Sequence, residues 1–183
     1  MVYLKWFLFL LIGVPFELFA KLLSPILAFF VQKNGWLPDW LWPFQTPDNS
    51  CDGDDGHRKR WPKDGAFWTW ARRAAWLFRN SAYGFNYYVL GVHYQPGDLT
   101  WHEGDPSVGD TSGISGLCRW YLERDGELIG FQIYYVKHYR IFGTWKCVRF
   151  GMGWKLWGDI EGDPDCPHWL YFHPMKGSGL EGK

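Results

Sequence analysis

LCRWYLERDGELIGFQIYYV, residues 117–136, sets the class of this protein. From Leu117 to Glu123 the side chains alternate, with Cys118, Trp120 and Leu122 on one face and Arg119, Tyr121 and Glu123 on the other. Asp125-Gly126 then supplies the two positive-φ residues that a tight hairpin turn demands. Leu128 to Val136 returns along the first strand. The pattern continues downstream. Phe142-Gly143-Thr144 turns the chain again, and Val148, Phe150, Met152, Trp154 and Leu156 alternate with Cys147, Arg149, Gly151, Gly153 and Lys155. A last strand is expected over Trp169 to Phe172. The C-terminal half is therefore an antiparallel meander with one apolar face.

Upstream, Phe85 to Val92 reads as a strand by the same period of two, and His93 to Gly116 reads as loop. Before them, Phe67, Trp70, Ala71, Ala74, Leu77 and Phe78 recur at helical spacing, which predicts an amphipathic helix over Ala66 to Asn80 starting at Asp64-Gly65. Residues Trp6 to Val31 are almost wholly apolar. The fold class is α+β: an N-terminal hydrophobic helix with a kink available at Pro25, one amphipathic helix, and a small antiparallel sheet. The expected organisation is a hydrophobic segment over 1–32, a Trp/Pro-rich collar with an acidic loop over 33–65, an α+β domain over 66–175, and a flexible tail over 176–183.

The N-terminal run carries the main functional signal, because a spanning helix needs roughly 20 apolar residues. Only Glu17 and Lys21 interrupt it, four apart in the favourable order for a pair. Gly13, Glu17, Lys21 and Ser24 form one narrow stripe, which has three uses open to it: a partner helix, an internal pair, or the water side of a helix resting on a bilayer. A cleaved signal peptide fits less well, since Leu18-Phe19-Ala20 lacks a small-x-small site. A core helix split at Pro25 and burial in a protein assembly stay open. Trp36, Trp40 and Trp42 follow directly, the last two between Pro38 and Pro43, and with Trp6, Trp68 and Trp76 they are candidate membrane-interface rings. The expected location is a membrane with the C-terminal domain cytoplasmic, and oligomer formation stays open.

The chain has 14 Trp, 14 Phe and 10 Tyr in 183 residues, and its 19 basic and 19 acidic residues balance. Nothing in that balance points to a nucleic-acid partner. Cys51, Cys118, Cys147 and Cys166 show no C-x-x-C pair and are expected as free thiols. Asp48, Asp52, Asp54 and Asp55 invite a calcium reading, but the spacing fails an EF-hand, with Lys63 where a bidentate Glu is needed. Turn signals at Pro47-Asp48-Asn49 and Asp52-Gly53 account for the loop. Cys166, His168 and His173 offer a zinc set without a known structural spacing. Asp159, Glu161, Asp163 and Asp165 alternate as a second acidic loop. Glu103, Asp105 and Asp110 beside Trp101 suit a glycan site only at a defined carboxylate separation. No catalytic motif is present, so no catalytic residue is assigned and a metal-dependent or glycan-active enzyme is the third reading.

Trp42-Pro43-Phe44-Gln45-Thr46-Pro47-Asp48-Asn49, Asp52-Gly53-Asp54, Arg79-Asn80-Ser81-Ala82-Tyr83-Gly84-Phe85 and Gly153-Trp154-Lys155 resemble motifs of a family of uncharacterised tailed-bacteriophage and prophage proteins. One residue is inserted before Phe44 relative to that pattern. The resemblance implies a phage origin, a short hydrophobic N-terminus and no known activity. It carries over no catalytic residues. With the resemblance, the leading expectation is a membrane-anchored, non-enzymatic binding protein at the host inner membrane, with an unknown host or phage protein as partner and a virion structural component as alternative.

Overall fold

The computed structural model describes residues 1–109, 113–156 and 165–177. The chain falls into two compact units, Phe7–Leu90 and Met1–Trp6 with Gly91–Lys183. The class is α+β: a long N-terminal helix, further helices, then a five-stranded antiparallel sheet.

The helical unit is built on α1 (Val2–Leu27) from Phe7 onward, which continues into a 3₁₀ turn at Ala28–Phe30. Pro25 does not split it. Proline removes the N–H that would bond the carbonyl four residues back, and the Ser24 hydroxyl donates to that Lys21 carbonyl instead, at 2.9 Å. A 3₁₀ segment, Asp39–Phe44, precedes α2 (Asp55–Arg60), α3 (Ala66–Arg79) and α4 (Tyr83–Tyr88). Leu27, Ala28, Leu37, Leu41, Cys51, Trp76 and Leu77 form the core of this unit. Trp70 of α3 caps it by donating Nε1 to the Pro25 carbonyl at 3.0 Å.

The expected strand at Phe85–Val92 is instead helical over its first half, Phe85–Tyr88, as part of α4. Its aromatic alternation is satisfied by tertiary packing: Phe85 lies 4.4 Å from Phe16, and buried Gly84 sits against the 39–44 segment. A Cβ at position 84 would lie 2.2 Å from the Trp42 carbonyl oxygen, so only glycine permits this approach.

In the other unit the sheet order is β2 (Leu99–Gly104), β3 (Gly116–Arg124), β4 (Glu127–Ile141), β5 (Thr144–Trp154) and β7 (His168–Gly177), all antiparallel. The short strands β1 (Val92–His93) and β6 (Asp165–Cys166) pair separately. Asp125 and Gly126 both have positive φ, 50° and 79°, as the hairpin reading requires. The loop expected over His93–Gly116 contains β1 and edge strand β2. All six residues of β2 are exposed, and its only apolar positions, Leu99 and Trp101, are too few to set a strand period.

On β5 the more buried positions are Cys147, Arg149, Gly151 and Gly153, not the larger residues between them. The Trp169 ring covers Gly151 and stacks on Tyr134 at 5.6 Å and 7°. Val108, Cys118, Tyr134, Val136 and Cys147 form the core of that face. The opposite face carries the cross-strand row Leu117, Tyr135, Phe150 and Phe172, whose members are exposed or half-buried. Both faces are therefore rich in apolar side chains.

Candidate functional site

The site with the clearest physical signature is the outer face of α1. At 100° per residue, Gly13, Ala20, Ser24 and Leu27 fall on one side and are buried. Glu17 and Lys21 flank them, half-buried, and Lys21 donates to Glu17 at 2.7 Å. Phe16, on the same side, packs on Phe44 at 5.4 Å and on Phe85. The opposite side carries Leu4, Phe7, Leu8, Leu11, Ile12, Leu18, Phe19, Leu22 and Ile26, all exposed and all apolar. From Phe7 to Ile26 the polar groups of the helix thus turn toward protein and its hydrocarbon outward, whereas Lys5 near its start is exposed. This is the reverse of a helix at the surface of a water-soluble domain. Residues Val2–Phe30 are long and apolar enough to cross a membrane, and 17% of their most apolar window is buried.

The candidate interface tryptophans divide. Trp40 is 68% exposed and meets Phe30 edge-on at 6.0 Å, and exposed Trp42 meets Tyr88. Trp36 and Trp68 are half-buried. Trp6 and Trp76 are buried and are packing residues. Trp6 donates Nε1 to the Gly153 carbonyl at 3.1 Å and stacks on His168, while Trp76 lies edge-on to His57 at 5.1 Å.

Sequence reading missed a second feature. Arg60, Trp61, Pro62, Lys63 and Trp68 line an open pocket of ≈ 210 Å³, below the ~300–1,000 Å³ of drug-sized ligand sites. Lys63 Nζ stands 4.2 Å from the centroid of the Trp68 ring. Among the described residues neither Arg60 nor Lys63 makes an ion pair with a carboxylate. The signal was present as basic residues interleaved with tryptophan over 58–63.

The acidic loop is committed to structure. Asp52 accepts from Arg73 Nε at 2.8 Å and pairs with Arg72, and the Arg73 hydrogen bond holds its carboxyl below the usual carboxylate range. Asp54 caps α2 by accepting the His57 backbone N–H at 2.6 Å, and Asp55 pairs with Arg58. His57 is buried, with Nε2 2.9 Å from the Arg72 carbonyl, and burial lowers its imidazole pKa. His168 is buried and His173 exposed, five residues apart on β7 and so on opposite faces. Among the described residues no three His, Cys, Asp or Glu side chains gather as a metal-ligand set. All four cysteines are free and buried, and burial pushes the Cys51 thiol up to about 12.

Of the glycan candidates, Trp101 stacks on Tyr121 at 4.1 Å, and Glu103 accepts from Arg119 and from the Tyr121 hydroxyl. Asp105 holds a turn through Ser107. Asp110, Asp159, Glu161 and Asp163 lie outside the described residues, as does the side chain of Asp165 and the tail beyond Gly177.

Residues 1–179 match the family model described as Family of unknown function (DUF7338), and the chain belongs to that family. No curated protein matches it. No solved structure matches it.

Proposed function

We propose that this protein is a monotopic membrane protein, in which α1 lies along the bilayer surface with its outer face in lipid. It holds a non-enzymatic binding body at the membrane. The single observation that carries this reading is the inverted polarity of α1: an exposed apolar face from Phe7 to Ile26, with Glu17, Lys21 and Ser24 on the covered side. A core helix would be mostly buried, and the packing of Phe16 against Phe44 and Phe85 favours an in-plane helix over a spanning one. Exposed Trp40, Trp42 and Phe30 near its C-terminal end suit the headgroup layer.

The motifs that resemble those of phage and prophage proteins support a phage origin. Four free cysteines fit a reducing compartment, hence the cytoplasmic leaflet of the host inner membrane. The partner there is a host or phage protein.

Membrane fractionation of the full chain expressed in bacteria tests the reading. The protein is expected in the membrane pellet after high salt and alkaline carbonate. The double variant Leu11→Glu with Leu18→Glu, which loads the centre of the outer face with charge, is expected to lose membrane binding about tenfold or more. Wild-type protein that is soluble from the start and sediments as large particles would assign the apolar face to a protein assembly such as a virion.

A further inference from the structure

We infer that the pocket lined by Arg60, Lys63 and Trp68 binds the phosphate of an anionic phospholipid headgroup, which rests on the membrane seating of α1. The placement comes from a row of rings within the helical unit. Phe29, exposed just past the end of α1, lies 5.5 Å from Trp70. Trp70 lies 5.7 Å from Phe67, and Phe67 lies 5.2 Å from Trp68. Trp70 is tied to the helix by its hydrogen bond to the Pro25 carbonyl, and Phe67 is itself exposed. The row runs from the apolar end of α1 to the wall of the pocket, where Lys63 stands over Trp68. Hydrocarbon-contacting residues thus pass in a few side chains to two cations. That is the order of layers a lipid presents, from acyl chain through the aromatic-rich interface to phosphate.

The chemistry of the pocket suits this ligand. A guanidinium offers a planar fork to phosphate oxygens, and an ammonium adds a compact charge. The Trp61 and Trp68 rings give apolar walls with an N–H edge, and the volume fits a headgroup rather than a larger ligand. Lys59 is exposed beside the pocket but does not line it, which makes it the internal control.

Flotation of the full chain with two vesicle preparations tests the inference. One is phosphatidylcholine alone, the other has about a third of its lipid replaced by phosphatidylglycerol. Wild type is expected to float with both and to prefer the anionic vesicles about tenfold or more. Arg60→Gln and Lys63→Gln are each expected to cut that preference about fivefold, leaving binding to phosphatidylcholine unchanged. Lys59→Gln should cut it less. Equal loss from Lys59→Gln overturns the inference in favour of diffuse attraction. Equal binding of wild type to both vesicles overturns it while leaving the membrane reading intact. Saturable binding of glycerol phosphate in solution, without a preference for anionic vesicles, would assign the pocket to a soluble phosphate. Flotation with neither vesicle sinks the membrane reading itself, and the lipid assignment with it.

Discussion

The Ser24 hydroxyl donates to the carbonyl of Lys21, 2.9 Å away, the acceptor that Pro25 leaves without its helical N–H. Ser24 is 1% exposed, so no water stands ready to replace it. Ser24→Ala is expected to cost about 1–3 kcal/mol, the penalty of a buried polar group left unpaired. In the Pro25→Ala background the restored N–H takes over the bond, and Ser24→Ala should cost markedly less. A double-mutant cycle by thermal unfolding checks this. Equal losses in both backgrounds would remove the hydroxyl from any account of how α1 stays continuous.

Acid should unfold the protein through named groups. Burial lowers the pKa of His57 below its ordinary 6.5, so the folded state favours the neutral ring. Its contribution is complete above 6.5 and is lost as pH falls through the lowered value. Arg73 holds Asp52 below the ordinary carboxylate value of 3.8, and Arg124 does the same for Asp98. Those contributions are complete above 3.8 and disappear only as pH falls through the lowered carboxyl values. Tm measured against pH is expected to decline in two stages, and His57→Gln should abolish the earlier one alone. A wild-type Tm that is flat from pH 7 to about pH 4 would contradict the neutral buried imidazole.

Asp98 gives a separate reading in the sheet unit. Its carboxylate is buried and accepts two bonds from Arg124, both 2.7 Å, while Arg124 also donates to the His93 carbonyl. Asp98→Ala strands part of that guanidinium and is expected to cost about 2–3 kcal/mol, under the range for a fully buried pair because Arg124 is partly exposed. Chemical denaturation would detect it, and a loss below about 0.5 kcal/mol would mean that water replaces the carboxylate.

How much of this was legible in the sequence follows from how local each determinant is. The Asp125-Gly126 hairpin was legible because its two residues alone fix the turn. The apolar length of α1 was legible too, since period and composition suffice. The helix at Tyr83–Tyr88 was not. Six residues satisfy either period, and the choice is made by Phe16 and the backbone of Trp42, more than 40 residues away. Edge strand β2 was not legible because both its sides are exposed. The pocket at Arg60 and Lys63 was legible only as basic residues interleaved with tryptophan over 58–63, for a related reason. Lys63 and Trp68 belong together only once α3 has folded, and their link to α1 passes through Phe67, Trp70 and Phe29.

The second hairpin carries an unusual residue. Phe142 sits at φ 48° and is 99% exposed, whereas Gly143 beside it takes the left-handed conformation freely. Left-handed backbone disfavours a bulky side chain, and asparagine tolerates it well. Phe142→Asn is therefore expected to raise stability by about 0.5–1 kcal/mol, read by urea denaturation. A loss of stability instead would mean that the exposed ring makes a contact in solution worth more than the strain.

The posture of α1 separates an in-plane helix from a spanning one by sidedness. Lys5 and Lys33 flank the apolar run, and both are exposed. A spanning helix puts them on opposite sides of the bilayer, whereas an in-plane helix leaves both on one side. Lys5→Cys and Lys33→Cys allow labelling with a membrane-impermeant maleimide in sealed vesicles. The four native thiols are buried, and burial raises the pKa of Cys51 and of Cys118, so background reaction should be slow. Both introduced thiols are expected to react from the same side and to be protected together from the other. Labelling from opposite sides would require Glu17 and Lys21 to enter the hydrocarbon with their packing partners, and the in-plane reading would fall.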